Sequence, residues 1–143
     1  MPAIVRSAVL ACAFAAALSA DAHDDVTELV TSMAGALTQA DVPEFMDAFD
    51  KNMPDYGTLE AEVTALVTQT EISSDIEPLT ASGNNQTYSI DLDWFLQVRS
   101  LQQVGPITRR RQIVHCELRK IKKHWKIVAI KPVDFFAAPK TTP

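Results

Sequence analysis

The sequence is poor in the residues that cross-link or bend a chain, with two cysteines and four glycines among 143 residues. One cysteine, Cys12, lies in an N-terminal apolar run, and the other is Cys116. If the run is removed on export, the mature chain cannot form an internal disulfide, and its apolar core must stabilise it unaided. About 120 residues are enough for such a core. No glycine-rich phosphate loop is present either.

The N-terminal run has the pattern of an export signal. Arg6 supplies a positive charge, residues 8–18 are almost wholly apolar, and Ala20-Asp21-Ala22 offers small residues for a cleavage site. A transmembrane helix needs about 20 apolar residues. The run therefore predicts a cleaved signal peptide over residues 1–22 and no membrane span.

The remaining chain is predicted as one exported domain over residues 23–136 with a flexible tail over residues 137–143. Cys12 follows Val9-Leu10-Ala11, which is similar to a lipoprotein acylation site. Lipid anchoring at Cys12 is therefore the alternative to a periplasmic or extracellular protein.

Charge is distributed unevenly along the chain. Residues 23–98 hold fifteen acidic residues and one basic residue, whereas residues 99–143 hold eleven basic residues and two acidic ones. If the two halves pack together, opposite charges meet across strands and helix faces. A polyanion-binding surface is the alternative, formed by Arg109, Arg110, Arg111, Lys120, Lys122 and Lys123. Nucleic acid is not expected, because no exposed aromatics are interleaved with these residues.

Apolar residues in the first half recur at helical spacing. A first helix is predicted to start at Asp25, which has the capping-box spacing to Glu28. A second start follows at Asp41, with Pro43 in its first turn, and a third helix is predicted over residues 58–69. The three apolar stripes are Val26, Leu29, Val30, Met33, Ala34 and Leu37; Val42, Phe45, Met46 and Phe49; and Leu59, Val63, Leu66 and Val67.

In the second half the apolar period changes to two, which is typical of strands. The predicted strands cover residues 71–78, 87–99, 109–121 and 125–130. Pro78 indicates that the first is an edge strand, and turns are expected at residues 82–85, 105–106 and 122–124. Hairpin-sized connections predict an antiparallel meander.

The chain is therefore predicted as an α+β domain in which three N-terminal helices pack in the concave face of a curved four-stranded antiparallel sheet. On the second strand, alternate residues from Tyr88 to Val98 are apolar or aromatic and are expected to face the helices. Asp91 and Asp93 then face away, where they are expected to be solvated and to pair with arginines or lysines of a neighbouring strand.

This order of elements resembles the nuclear transport factor 2-like (NTF2-like) superfamily, which includes SnoaL-like and ketosteroid-isomerase-like proteins. The resemblance spans residues 25–136 and is carried by the helical first half, the strand ending at residues 91–96, the closing segment 124–130 and Asp134-Phe135-Phe136. It implies a cone-shaped fold. The fold hosts enzymes, binding modules and dimerisation domains, so it leaves the function open. The family often has another short strand where this sequence has only residues 52–57.

The predicted inner wall of the cone carries no Asp, Glu or His, so we assign no catalytic residue. The chain is predicted to be a non-catalytic binding or dimerisation module that holds a small apolar ligand in the cone. No cofactor or metal is expected, because the three histidines are scattered along the chain. The predicted pocket is lined by Phe45, Phe49, Met53, Tyr56, Tyr88, Leu92, Trp94, Cys116 and Trp125, although aromatics at this spacing are also typical of a plain core.

An isomerase, dehydratase or cyclase is the alternative function. Its candidate residues are Tyr56, Tyr88 and Asp50, the last of which flanks the apolar side of the second helix. A surface carboxylate is the more ordinary interpretation of Asp50. Likewise, Cys116 is expected to be a small apolar strand residue rather than a reactive thiol.

The outer face of the predicted sheet carries more apolar residues than a solvated face needs. This excess indicates a partner, most simply a second copy that stacks through its own sheet. The resemblance implies the same, since many members of the superfamily dimerise in this way. The predicted dimer interface consists of Phe95, Ile113, His115, Ile121, Val128 and Ile130.

Overall fold

In the structure, a computed structural model that describes residues 21–101 and 107–139, the change from helical to alternating spacing marks the boundary between helices and sheet. The helices are α1 (residues 21–38), α2 (Val42–Asp47) and α3 (Tyr56–Gln69). The strands are β1 (Thr70–Gly83), β2 (Thr87–Ser100), β3 (Thr108–Ile121) and β4 (His124–Lys131), followed by a 3₁₀ turn, η1 (Val133–Phe136). They pair antiparallel in the order β1-β2-β3-β4. The predicted α+β fold and meander are therefore confirmed.

Helix α1 differs from its prediction at the N-terminal end. Residues 21–24 are already helical, so the predicted start at Asp25 is wrong. Ala22 lies one turn before Val26 and is 2% exposed, which extends the apolar stripe and favours helix there. Most of the predicted signal, including Cys12, lies outside the described residues, as does the predicted turn at residues 105–106.

The short helix α2 begins as predicted. The carboxylate of Asp41 accepts a hydrogen bond from the Glu44 backbone N–H at 3.1 Å, as an N-cap residue does. The chain leaves the helix after Asp47, and Phe49 forms an isolated parallel bridge with Ile127 of β4. This bridge lies between α2 and α3.

Helix α3 begins at Tyr56, two residues before its predicted start. Strand β1 extends past the predicted end at Pro78 to Gly83, with a register shift between Pro78 and Ala81. It lies at the edge of the sheet, as Pro78 indicated.

The alternation of β2 matches its prediction. Tyr88, the most exposed of its six inward-facing side chains, is only 6% exposed. Asp91 and Asp93 lie on the opposite face and are partly exposed. The carboxylates beside Trp94 therefore point away from the helices.

The alternation of β4 departs from its prediction because of a β-bulge. Leu118 pairs with Ile127 and Glu117 pairs with Ala129, which leaves Val128 as the extra residue. An extra residue reverses the faces of the residues that come after it. Ile130 consequently opposes Cys116 and is 3% exposed, so its predicted place on the outer face is wrong.

An aromatic cluster fills the centre of the concave side. Trp94 lies 5.0 Å from Phe136 between ring centroids, and Phe136 lies 5.7 Å from Phe45. The indole Nε1 of Trp94 donates a hydrogen bond to the Ser74 hydroxyl at 2.9 Å, so its one polar atom is satisfied. The 3₁₀ turn η1 therefore places Phe136 at the base of the cone, where its ring packs against Trp94 and Phe45.

Replacing Phe136 with alanine should remove the centre of this cluster. We expect Phe136→Ala to lower the free energy of unfolding by about 3–5 kcal/mol, because the ring is fully buried and its neighbours cannot collapse completely into the gap. Urea denaturation followed by far-UV circular dichroism measures the change. Leu101→Ala is the control, since Leu101 is 61% exposed. If Phe136→Ala lowers the free energy of unfolding no more than the control does, the packing of Phe136 at the base of the cone is contradicted.

Candidate functional site

The residues predicted to line a ligand pocket form much of the core. Eight of the nine are at most 8% exposed, and Tyr56 is half-buried. Phe45 and Trp94 pack against Phe136 from η1, a residue that the predicted lining did not include. At these positions the cone is occupied by side chains of the protein itself.

Two protic side chains of the inner wall have defined surroundings. The Tyr88 hydroxyl lies 2.6 Å from Nδ1 of His23 on α1, and burial raises the pKa of the Tyr88 phenol. Burial also raises the pKa of the Cys116 thiol to about 12, so the thiol stays protonated at neutral pH. Cys116 is fully buried and behaves as the apolar strand residue that the sequence indicated.

A cleft of about 600 Å³ opens beside α2 and the start of α3. Asp50 and Tyr56 both line it, whereas Tyr88, the third residue considered for catalysis, does not. Burial raises the pKa of the Tyr56 phenol, and the charges of Glu60 and Asp47 raise it further. The three candidate catalytic residues therefore do not converge on this cleft, and the predicted apolar ligand in the cone stays a prediction.

The outer face of the sheet carries a chain of four polar side chains that the sequence did not reveal as a unit. Nδ1 of His115 lies 2.6 Å from a carboxylate oxygen of Asp91, and Nε2 lies 2.6 Å from one of Glu117. The Ser89 hydroxyl donates to the other Glu117 oxygen at 2.5 Å. Asp91 on β2 pairs directly with His115 on β3. The sequence could have predicted this contact only if the pairing register of the two strands had been known.

This arrangement favours the doubly protonated form of His115. Carboxylates are acceptors only, so both ring nitrogens must carry a proton to donate to Asp91 and Glu117 at once. The hydrogen bond to Asp91, then that to Glu117, raises the pKa of the imidazole above its ordinary 6.5. In its doubly protonated form His115 has no free lone pair with which to act as a general base.

Asp93 behaves as predicted, and Asp91 does not. Both carboxylate oxygens of Asp93 accept from Arg111 of β3, at 3.1 and 2.7 Å. These hydrogen bonds lower the pKa of Asp93. Asp91 pairs with His115 rather than with an arginine or lysine.

The residues predicted to form the dimer interface do not all lie on one surface of the structure. Phe95 and Ile113 lie near the middle of the outer face, and Ile113 is 58% exposed. Ile121 lines the cleft beside Tyr56, and Val128 is the half-buried bulge residue. With Ile130 turned inward, Phe95 and Ile113 are the apolar centre that remains, with His115 next to them.

The basic residues considered for polyanion binding do not form one patch. Arg110 turns inward and donates to the Phe135 and Ala137 carbonyl oxygens at 2.9 and 2.6 Å. Arg111 is engaged by Asp93. The arginines and lysines lie at opposite ends of a 14-residue strand, which at roughly 3.3 Å per residue separates them by about 30 Å.

Residues 21–101 and 107–139 contain neither a metal centre nor a membrane-spanning helix. Within them, no group of three or more His, Cys, Asp or Glu side chains is placed to hold a metal ion. The helices of the same segments include none with the length and hydropathy required to span a bilayer.

Comparison with solved structures finds the same fold in several bacterial proteins. A "putative scytalone dehydratase" of Novosphingobium aromaticivorans superimposes with a TM-score of 0.73 at 9% identity, over 80% of this chain and 85% of that one. A "putative dehydratase from the NTF2-like family" of Streptomyces avermitilis gives 0.66 at 11% identity, over 78% and 95%. An NTF2-like protein of unknown function from Shewanella oneidensis gives 0.55 at 12% identity, over 76% and 95%.

At such low identities the likeness concerns the fold and not the activity. A scan against family models and a search of curated proteins each found no match. The comparisons thus confirm the resemblance inferred from the order of elements, at the level of architecture.

The two hydrogen bonds of His115 to Asp91 and Glu117 predict a raised pKa for its imidazole. In the folded protein its midpoint, followed by NMR of the imidazole protons, should lie above 6.5, and Asp91→Asn should lower it. Since the folded pKa exceeds the unfolded one, the stability contributed by His115 is full below about pH 6.5 and is lost as pH rises through the folded midpoint. The stability difference from His115→Gln should therefore shrink from about pH 6 to about pH 9. A midpoint at or below 6.5 would contradict this geometry.

Proposed function

For a chain with the NTF2-like fold and a cone filled by its own side chains, we propose a non-catalytic binding module that forms a homodimer through the outer face of its sheet. The observation that carries the proposal is Ile113, a large apolar side chain that is 58% exposed at the centre of β3. Strand residues in the middle of a sheet are usually apolar only where something covers them. A second copy is the occupant that we propose.

The charges along β3 support a two-fold arrangement. The outward positions run Arg109, Arg111, Ile113, His115, Glu117, with the isoleucine at the midpoint. A two-fold axis near Ile113 that sets the two β3 strands antiparallel would place Arg109 of one protomer over the second copy's Glu117. Such self-complementarity is what an isologous interface requires.

The side chains beside Ile113 support the same interface. On the neighbouring strand, Asp93 pairs with Ile113, and Phe95 follows two residues later on the same face, where it pairs with Arg111. The two apolar groups are therefore diagonal neighbours on one face. The Asp93–Arg111 pair beside them is already formed within one protomer, so the bond need not be assembled on association.

We also propose that the domain acts outside the cytoplasm. The support is the pattern of residues 1–22, in which a basic start, an apolar run and small residues occur in the order of a signal peptide. Cleavage after Ala22 would remove one small core side chain and leave the apolar residues of α1 from Val26 onward.

The homodimer is tested by Ile113→Lys. We expect the unaltered protein to have twice the chain mass in size-exclusion chromatography with light scattering. The variant should dissociate with a Kd weakened by more than about tenfold, because two lysines would meet across the axis.

The matched control is Leu79→Lys, at a 47% exposed residue of the edge strand, which should leave the dimer intact. Circular dichroism of both variants separates dissociation from unfolding. If the unaltered protein stays monomeric at the highest attainable concentration, the proposed homodimer is contradicted.

Export is tested by the N-terminus of the mature protein. Expressed in full in a bacterium with a periplasm, the chain should be recovered from that compartment with His23 as its first residue, as intact mass spectrometry measures. A diacylglyceryl modification of Cys12 would instead favour the lipoprotein alternative, and recovery of the uncleaved chain from the cytoplasm would contradict export.

A further inference from the structure

The hydrogen-bonded group around His115 lies beside the centre of the proposed dimer interface. His115 follows Ile113 by two residues on β3, and both side chains point outward, because residues of a strand alternate between its two faces. Within one protomer the imidazole lies 2.6 Å from Asp91 and 2.6 Å from Glu117. A side chain whose charge changes near neutral pH is therefore placed where a second copy would stack.

Lys131 of β4 completes the charges around His115. It pairs with His115 across the ladder and is exposed, so it lies on the same face of the sheet. We call Asp91, His115, Glu117 and Lys131 the His115 cluster. Lysine and arginine side chains keep their charge in the range where a histidine titrates. The His115 cluster thus has no net charge while His115 is protonated and one negative charge once the proton has left.

The two-fold arrangement proposed above decides which charges face this cluster. With the axis at the midpoint of the outward run of β3 and the two strands antiparallel, His115 lies over the second copy's Arg111, and Glu117 lies over its Arg109. Arg111 is neutralised by Asp93 within its own protomer. Arg109 is exposed and forms no ion pair with any residue that the structure describes. The facing surface therefore carries one net positive charge.

We propose that protonation of His115 weakens the homodimer, so that the dimer tightens as pH rises. This regulation rests on the proposed homodimer and adds a control by pH to the same interface. A proton on His115 cancels the negative charge that attracts the facing surface and sets a positive charge opposite the second copy's Arg111. Because the interface is two-fold, the effect occurs twice in each dimer.

Linkage gives the sign and the pH range. The monomer holds the proton of His115 more tightly than the dimer does, so association releases protons. The dissociation constant is therefore highest below the midpoint of His115 and falls as pH rises through it. Asp91 and Glu117 raise the pKa of the imidazole above 6.5, which places the change around and above neutral pH.

The size of the effect follows from the distance between stacked sheets. At about 10 Å, a unit charge acting on another changes an equilibrium constant by roughly twofold to tenfold at the dielectric of a protein surface. Two such contacts in each dimer give a change in Kd of about tenfold between pH 6 and pH 9.

The experiment is sedimentation equilibrium of the full domain at pH 6 and pH 9, at one low ionic strength so that screening is constant. We expect the Kd of the unaltered protein to be about tenfold lower at pH 9. His115→Gln carries a neutral side chain at both pH values. Its Kd should not change with pH, and at pH 6 it should be lower than that of the unaltered protein. Tighter association is a gain that damage to the fold does not produce.

Two further variants isolate the charges involved. Arg109→Gln removes the unpaired positive charge of the facing surface, so the change between pH 6 and pH 9 should shrink to less than about threefold. His124→Gln is the matched control, because His124 is an exposed histidine at the far end of the β3–β4 ladder, opposite Ile121. It should keep the tenfold change. Circular dichroism at both pH values verifies that each variant is folded.

Two results would overturn this regulation and leave the dimer in place. One is a Kd of the unaltered protein that is no lower at pH 9 than at pH 6, and the other is an equal pH dependence in His115→Gln and in the unaltered protein. An unaltered protein that is monomeric at both pH values would instead overturn the homodimer itself, and the regulation with it.

Discussion

The fold depends on the burial of Trp94 at the base of the cone. The residue is fully buried, its one polar atom is satisfied by Ser74, and Phe136 packs on it edge to face. Because side chains of a strand alternate, placing Trp94 inward decides the direction of every other residue of β2. A slip of one residue would bury Asp91 and Asp93 without partners, which is far costlier than any gain from repacking.

That constraint also decides what the concave side can do. Aromatic rings from α2, β2 and η1 meet at the centre of the concave side, so side chains of the protein itself occupy that space. The Asp, Glu and His side chains of β2 and β3 lie on the other side of the sheet, where Asp91, His115 and Glu117 form a hydrogen-bonded chain. The two carboxylates raise the pKa of His115 and so favour its charged form, and this chain lies beside the exposed Ile113.

The outer face of the sheet has a charge pattern that suits it for binding. On the outer face, an apolar centre is flanked by charges of opposite sign along a single strand, a pattern that fits a copy of itself. The uneven charge of the chain also shows in its ion pairs, since Glu71–Arg99, Asp93–Arg111 and Asp47–Lys126 each join the acidic first half to the basic second half.

The sequence by itself determined the order of elements, the meander and the inward face of β2, because each rests on local periodicity that packing then reinforced. It also determined the N-cap at Asp41 and the buried nature of Cys116. Tertiary structure alone decided the inward turn of Ile130, since a bulge opposite Glu117 reverses the faces of β4 and leaves no mark in the pattern of residues. It likewise decided that Phe136 packs at the centre of the cone and that Asp91 meets His115. Each of these contacts joins residues distant in sequence, and their geometry is set by strand register and by the angle at which a helix crosses the sheet, neither of which local periodicity encodes.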